Sequence, residues 1–192
     1  MYFDFVENLH QMEQSEQWEA VRKLLRERWL SQKDNLGALI RLASECWLIL
    51  TDWECSINNE GLDYELFKRD LIATCSYGLE HFGDDEKILC LFGYMMSLFP
   101  YLFYLNDDPD GKEYLAYESK GHSLLEKAYR NYSNVLLVQV FFLGSISHPT
   151  KYQEAKYRET RAALKPFLSA LFPGDTAIEE YFKDVLGLNS PY

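Results

Sequence analysis

Apolar residues recur at helical spacing along almost the whole chain. Trp18, Val21, Leu24 and Leu25 fall on one side of a helix, with Arg22, Lys23, Arg26 and Glu27 on the other. A second run follows at Leu36, Leu39, Ile40, Leu42, Ala43, Cys46, Trp47, Ile49 and Leu50. Between the two lies Ser31-Gln32-Lys33-Asp34-Asn35, a polar break rich in helix-capping residues. The same grammar returns three times. Leu79-Glu80-His81-Phe82 runs through Gly83-Asp84-Asp85 into a long apolar stretch. Ala128-Tyr129-Arg130 runs through Asn131-Tyr132-Ser133-Asn134 into residues 135–143. Ala170-Leu171-Phe172 runs through Pro173-Gly174-Asp175-Thr176, where Thr176 and Glu179 have the spacing of a capping box. No stretch alternates with the two-residue period of a half-buried strand.

The four breaks, marked at Asn35, Asp85, Asn134 and Asp175, are 50, 49 and 41 residues apart. Stacked helical hairpins produce a spacing of this order, because each hairpin is too small to bury its own apolar face. Longer polar connections at residues 56–63, 106–111 and 147–149 alternate with the short breaks. Pro149 suits the first position of a helix, and Pro100 and Pro166 are expected to kink theirs. The pattern therefore predicts an all-α chain. About eight helices form four stacked antiparallel hairpins in an irregular solenoid, with a short amphipathic helix near residues 3–12, and residues 1–192 make one domain.

Residues 88–105 carry no charge over 18 positions, the length at which a membrane span enters consideration. Gly93, Ser97, Pro100 and three tyrosines interrupt the run, and both flanks are acidic rather than basic. The run reads as a central buried helix, apolar all round because neighbours cover it. No contact with a membrane is expected.

The phrase Leu79-Glu80-His81-Phe82-Gly83-Asp84-Asp85-Glu86-Lys87, followed by Phe92-Gly93, resembles the junction between successive tetratricopeptide repeats, and Leu143-Gly144 after Asn134 echoes it. The resemblance implies a tetratricopeptide-like array with longer helices. The family's 34-residue period is absent, and its Trp, Leu-Gly, Tyr signature does not align in register on Trp18.

Composition sharpens the picture. With 192 residues, 47% of them hydrophobic, the chain is long enough for a sizeable core and too apolar for a disordered acidic tail. The net charge of −11 excludes a basic nucleic-acid-binding face and suits a basic protein partner. The excess is uneven: −5 in residues 1–60, −7 in 61–120 and +1 in 121–192. Lys151, Lys156, Arg158, Arg161 and Lys165 give the last third a basic helix. Cys46, Cys55, Cys75 and Cys90 lack metal-binding spacing and read as buried free thiols in helical stretches, with the cytoplasm as the expected compartment. The acidic surplus favours a monomer.

Candidate chemistry is sparse. Asn106-Asp107-Asp108-Pro109-Asp110-Gly111-Lys112 places oxygen ligands at alternate positions with a glycine sixth, as a calcium loop does. Its twelfth position, where a bidentate glutamate belongs, is Tyr117, and Pro109 stiffens the wrong place. His10, His81, His122 and His148 have no partners at zinc spacing. No GxSxG, phosphate loop or GxGxxG occurs. No enzymatic activity, metal or cofactor is expected.

The remaining signal is a set of candidate partner-binding residues. Asp84, Asp85 and Glu86 precede the uncharged run, and Asp107, Asp108 and Asp110 follow it, at ends separated by about 30 Å if the run were one helix. Just beyond, Glu113, Tyr114, Tyr117 and Glu118 mix carboxylates with tyrosines at helical spacing. Tyrosine supplies contact area and carboxylates steer a basic partner, although Tyr114 and Tyr117 also suit packing on a neighbouring helix. In size, acidity, aromatic content and helicity the chain is similar to the helical immunity proteins of contact-dependent growth inhibition and related polymorphic toxin systems. That resemblance implies neutralisation of a basic toxin domain, such as a nuclease. The alternative is a tetratricopeptide-like adaptor or chaperone holding a peptide or helix in a concave groove.

Overall fold

Short polar side chains start most of the long helices. In the computed structural model, which describes residues 2–55 and 57–187, Asn35 accepts the backbone N–H of Ala38 at 3.1 Å and starts a helix over Leu36–Thr51, α3. Asp63 and Asp85 do the same for Tyr64–Phe82, α4, and Glu86–Leu98, α5. Before them come the short α1, Leu9–Gln14, and α2, Trp18–Ser31. After them come α6, Lys112–Asn131; α7, Leu136–Gly144; α8, Lys151–Leu164; the single turn α9, Leu168–Leu171; and α10, Ala177–Leu186. No strand occurs among the described residues. The short breaks at Asn35, Asp85, Asn134 and Asp175 join α2 to α3, α4 to α5, α6 to α7 and α9 to α10, at the four places expected, although the last links α10 only to the single turn α9.

The closest packing nevertheless crosses the longer connections, between α3 and α4, α5 and α6, and α7 and α8. Burial explains the layering. Every residue of α3 from Ala38 to Leu50 is buried, and so is almost all of α5 from Ile88 to Met96, whereas α2, α4, α6 and α8 bury only a stripe. Helices α3, α5 and α7 thus form a central layer with amphipathic helices on one side. On the other side lies α10. Its Tyr181 meets Trp47 of α3 edge-on at 5.4 Å, and its Phe182 contacts Tyr94 of α5 and Phe141 of α7 at about 6 Å. Phe3 stacks on Phe182, and the Tyr2 N–H donates to the Leu171 carbonyl at 3.2 Å. The array is therefore closed: its inner face is filled by the chain's own last helix and first residues. Each large side chain buried there is worth about 1.5–3 kcal/mol.

Helices α5 and α6 approach backbone to backbone. A Cβ placed on Gly121 would stand 2.4 Å from the Ser97 nitrogen and 2.9 Å from the Gly93 carbonyl oxygen. Glycine at both crossing positions is what lets α6 lie so near the central helix.

Several local expectations need correction. The uncharged run is not one helix. Pro100 has no N–H to continue the ladder, so α5 ends at Leu98 and a 3₁₀ turn, Pro100–Phe103, follows. Helix α5 alone is about 20 Å long. Pro166 lies in another 3₁₀ turn, Lys165–Phe167, between α8 and α9. Thr150 caps α8 in a capping box with Gln153, so Pro149 precedes the cap. The Thr176 hydroxyl donates to the Glu179 carboxylate at 2.5 Å and makes no cap to the backbone. The cap of α10 comes from afar, because Glu13 of α1 accepts the Ala177 N–H at 2.7 Å. Cys46, Cys75 and Cys90 are buried as expected, but Cys55 is exposed beyond the end of α3. No helix among the described residues is long and apolar enough to cross a membrane.

Candidate functional site

The acidic residues singled out above separate into two groups at opposite ends of α5. At its N-terminal end the carboxylates are engaged within the fold. Asp84 pairs with Lys127 at 2.7 Å, and its carbonyl accepts the Tyr132 hydroxyl at 2.6 Å. Asp85 caps α5 through the Lys87 N–H at 2.8 Å. Glu86 accepts the Tyr2 hydroxyl, and burial raises its pKa above the ordinary carboxylate range. Ties to the N-terminal segment and to the α5 backbone make Glu86 and Asp85 part of the scaffold, while the Asp84 carboxylate stays 89% exposed beside Lys127.

The other end differs. Here the chain leaves α3, turns into α4, passes the 3₁₀ turn after α5 and enters α6. Asp107 and Glu113 are exposed, and Asp110 bonds the neighbouring Lys112 at 2.9 Å on the open surface. Asp108 supports the local backbone, since its carboxylate accepts the Tyr114 N–H at 2.8 Å, and that bond holds its pKa below the ordinary range. This oxygen satisfies an N–H at the start of α6, which begins with Gly111 in a left-handed conformation and no capping side chain of its own. The two tyrosines part company. Tyr117 is half-buried and stacks on Phe103 and Tyr104 with ring centres 6.1 and 6.0 Å away, so it belongs to the packing. Tyr114 is exposed.

Other residues join them that the sequence pattern had not singled out. Tyr101, Leu105, Tyr114 and Leu115 expose 40%, 52%, 38% and 60% of their surfaces. Tyr101 is an electrostatic neighbour of Tyr114, Tyr64 and Cys55, which places the 3₁₀ turn beside both α6 and the α3–α4 connection. A cleft of about 510 Å³ there is lined by Trp53, Glu54, Cys55, Tyr64 and Tyr101. Burial pushes the Tyr64 hydroxyl pKa up to about 12, with Tyr101, Glu65 and Glu54 adding to the shift. Lys68 is a cation set into this surface, over the rings of Tyr64 and Tyr104 at 5.9 and 5.6 Å. The end is thus a tyrosine and leucine surface bordered by Glu54, Glu65, Asp107, Asp110 and Glu113. Only the run from Asp107 to Tyr114 was legible locally; Tyr101 and Leu105 come from the turn after α5, and Trp53, Tyr64 and Lys68 from about 45–60 positions upstream.

A second polar centre lies inside. Arg41 of α3, 3% exposed, donates to Thr176 at 2.7 Å and to Glu179 at 3.1 Å, and its guanidinium covers the Phe3 ring at 4.9 Å. Burial works to raise the Glu179 pKa, but Thr176, Arg41 and the Gly174 N–H overcome it and hold the carboxyl below its usual range. Burial outweighs the Ala177 N–H bond and raises Glu13, and it raises Glu45, which accepts no hydrogen bond among the described residues, to about 8, with Glu13 and Glu179 adding repulsion. Among the described residues no group of three or more His, Cys, Asp or Glu side chains is placed to hold a metal ion. The centre clamps α1, α3 and α10 together.

The histidines are dispersed. His81 stacks on Tyr77 at 3.9 Å, and His10 lies 3.7 Å from Asp175 at the surface. His122 shares a cleft with Ser97 and Ser145, but both hydroxyls donate to backbone carbonyls of their own helices, Tyr94 and Phe142, rather than to the imidazole. No family model, curated protein or solved structure matches the chain.

Proposed function

We propose that the chain is an antidote of the immunity-protein type: it binds a basic toxin domain through the tyrosine-bearing acidic end and covers that domain's active site or a surface beside it. The observation that carries the reading is the pairing, on one end, of exposed Tyr101, Leu105, Tyr114 and Leu115 with a border of exposed carboxylates. Aromatic and aliphatic area supplies contact energy once water is excluded. The carboxylates, reinforced by a net charge of −11, accelerate encounter with a cationic partner. Fast capture matters to an antidote, which must reach the toxin before the toxin reaches its substrate.

The alternative, an adaptor holding a peptide in a concave groove, has less support, because α10 lies on the face of α3, α5 and α7 where such a peptide would sit.

The test is genetic and physical. The open reading frame immediately upstream is expressed through its C-terminal segment in a bacterium, with and without this protein. Restored growth together with a co-purifying complex is the expected result. Toxicity without rescue, or no toxicity, counts against the antidote reading and favours the adaptor.

A further inference from the structure

A cleft of about 300 Å³ opens where α5, α6, α7, α8 and the end of α10 meet. Its apolar walls, Leu98 and Tyr94 from α5, Tyr157 from α8 and Val185 from α10, stand beside Ser97, Ser145 and Ser147. Into it α6 presents Glu118 and His122. Glu118 is half-buried, forms no hydrogen bond or ion pair with any described residue, and is the only carboxylate among the cleft's lining residues. Neither lysine nor arginine lines the cleft, and the nearby Ser97 and Ser145 hydroxyls already donate to backbone carbonyls at 2.9 and 2.8 Å.

Along α6 the cleft lies one turn beyond the acidic end. Tyr114, Glu118 and His122 stand at i, i+4 and i+8 on α6, a single stripe about 12 Å long that leads from the exposed tyrosine inward. Leu98, 46% exposed, borders the cleft at the end of α5, just before the 3₁₀ turn that carries Tyr101.

We infer that this cleft receives an arginine side chain from the basic partner, with the guanidinium bonded to Glu118 and its plane against the tyrosine walls. The inference rests on the reading of the chain as a binder of a basic protein. A carboxylate in a half-buried recess with no lysine or arginine beside it attracts a cation more strongly than one in open water. Guanidinium fits better than ammonium: it is less strongly hydrated, stacks on aromatic rings and bonds a carboxylate through two parallel N–H groups. Desolvated arginines of this kind are among the commonest anchors of protein interfaces.

The experiment uses the full chain and two small probes, N-acetyl-L-arginine amide and its neutral isostere N-acetyl-L-citrulline amide, followed by amide chemical shifts at pH 7.5. The arginine probe is expected to shift the amides of Ser97, Glu118, His122 and Gly144 saturably in the millimolar range, at least about fivefold more tightly than the citrulline probe. Glu118→Gln removes that preference, and its own spectrum reports whether the fold is kept. Asp107→Lys/Asp110→Lys/Glu113→Lys leaves the probe bound in the cleft, so a failure of the acidic end and a failure of the cleft are told apart. Equal affinity for the two probes, a preference that survives Glu118→Gln, or no saturable shift in the cleft overturns the inference.

Discussion

Glu179 and Arg41 lie 138 positions apart in the chain and meet at 3.1 Å in its interior. The guanidinium also holds Thr176, and the same carboxylate accepts the Thr176 hydroxyl. A buried pair of this kind is costly to break, because the surviving partner keeps its charge without its bonds. Arg41→Leu is expected to lower unfolding stability by about 3–5 kcal/mol, read as a fall in the urea midpoint. Arg41→Leu combined with Glu179→Leu recovers a large part of that loss. A single variant within about 0.5 kcal/mol of wild type contradicts the clamp.

Glu45 supplies a prediction of opposite sign. Its carboxyl is fully buried, both oxygens are without a hydrogen-bond partner among the described residues, and its pKa is pushed up to about 8. A carboxyl whose pKa is higher folded than unfolded stabilises the fold at low pH, and that contribution disappears as pH rises from the ordinary carboxyl value toward 8. Glu45→Gln is therefore expected to be more stable than wild type at pH 8, by about 2–4 kcal/mol, with the two curves converging near pH 4–5. Denaturant melts at four pH values between 4.5 and 8.5 check it. Parallel curves across that range contradict it.

Gly121 sets the distance between α5 and α6. Gly121→Ala would place a methyl group 2.4 Å from the Ser97 backbone nitrogen, where no flexible side chain can give way. The expected loss is about 2–4 kcal/mol, with the helical circular dichroism signal retained. Gly111→Ala is a useful contrast: no atom lies within 4 Å of the added Cβ, and only the positive φ of 67° opposes it. It should cost about 1 kcal/mol.

For the acidic end the informative substitutions avoid Asp108, whose carboxylate holds the start of α6. Asp107→Lys/Asp110→Lys/Glu113→Lys should leave the melting temperature within a few degrees of wild type. Association with the basic partner should slow at least tenfold or so at low salt and lose most of its salt dependence. Tyr114→Ala should act mainly on dissociation. Tyr117→Ala should act on stability instead, since its ring stacks on Phe103 and Tyr104. Stopped-flow kinetics and thermal melts on the same preparations separate these outcomes.

What was legible in the amino-acid order is what depends on near neighbours. Asn35 and Asp85 bond N–H groups three and two positions onward, so their caps, and the breaks they mark, are visible in a short window. The uncharged run from residue 88 likewise announced a central buried helix. The closure was not legible, because Glu13 caps α10 across 164 positions and Trp47 finds Tyr181 across most of the chain. No periodicity encodes such pairs. The candidate site divides on the same line. Asp107, Asp110, Glu113 and Tyr114 form a local run, whereas Tyr101, Tyr64 and Trp53 reach the same end only through the turn after α5 and the α3–α4 connection. Asp84, Asp85 and Glu86 had looked equivalent to the second acidic group. The α5 cap takes up Asp85 and Tyr2 takes up Glu86, whereas Asp84 stays exposed beside Lys127.

The seating of α10 against Trp47, Tyr94 and Phe141 also constrains the order of events during synthesis. On the ribosome, α3, α5 and α7 emerge well before residue 177, so a growing chain carries three aromatic helix faces with nothing yet to lie on them. The inner face closes only once α10 has cleared the exit tunnel. In that interval the uncovered faces are prone to aggregate, and a message truncated after α9 would yield a sticky product rather than a shorter working one.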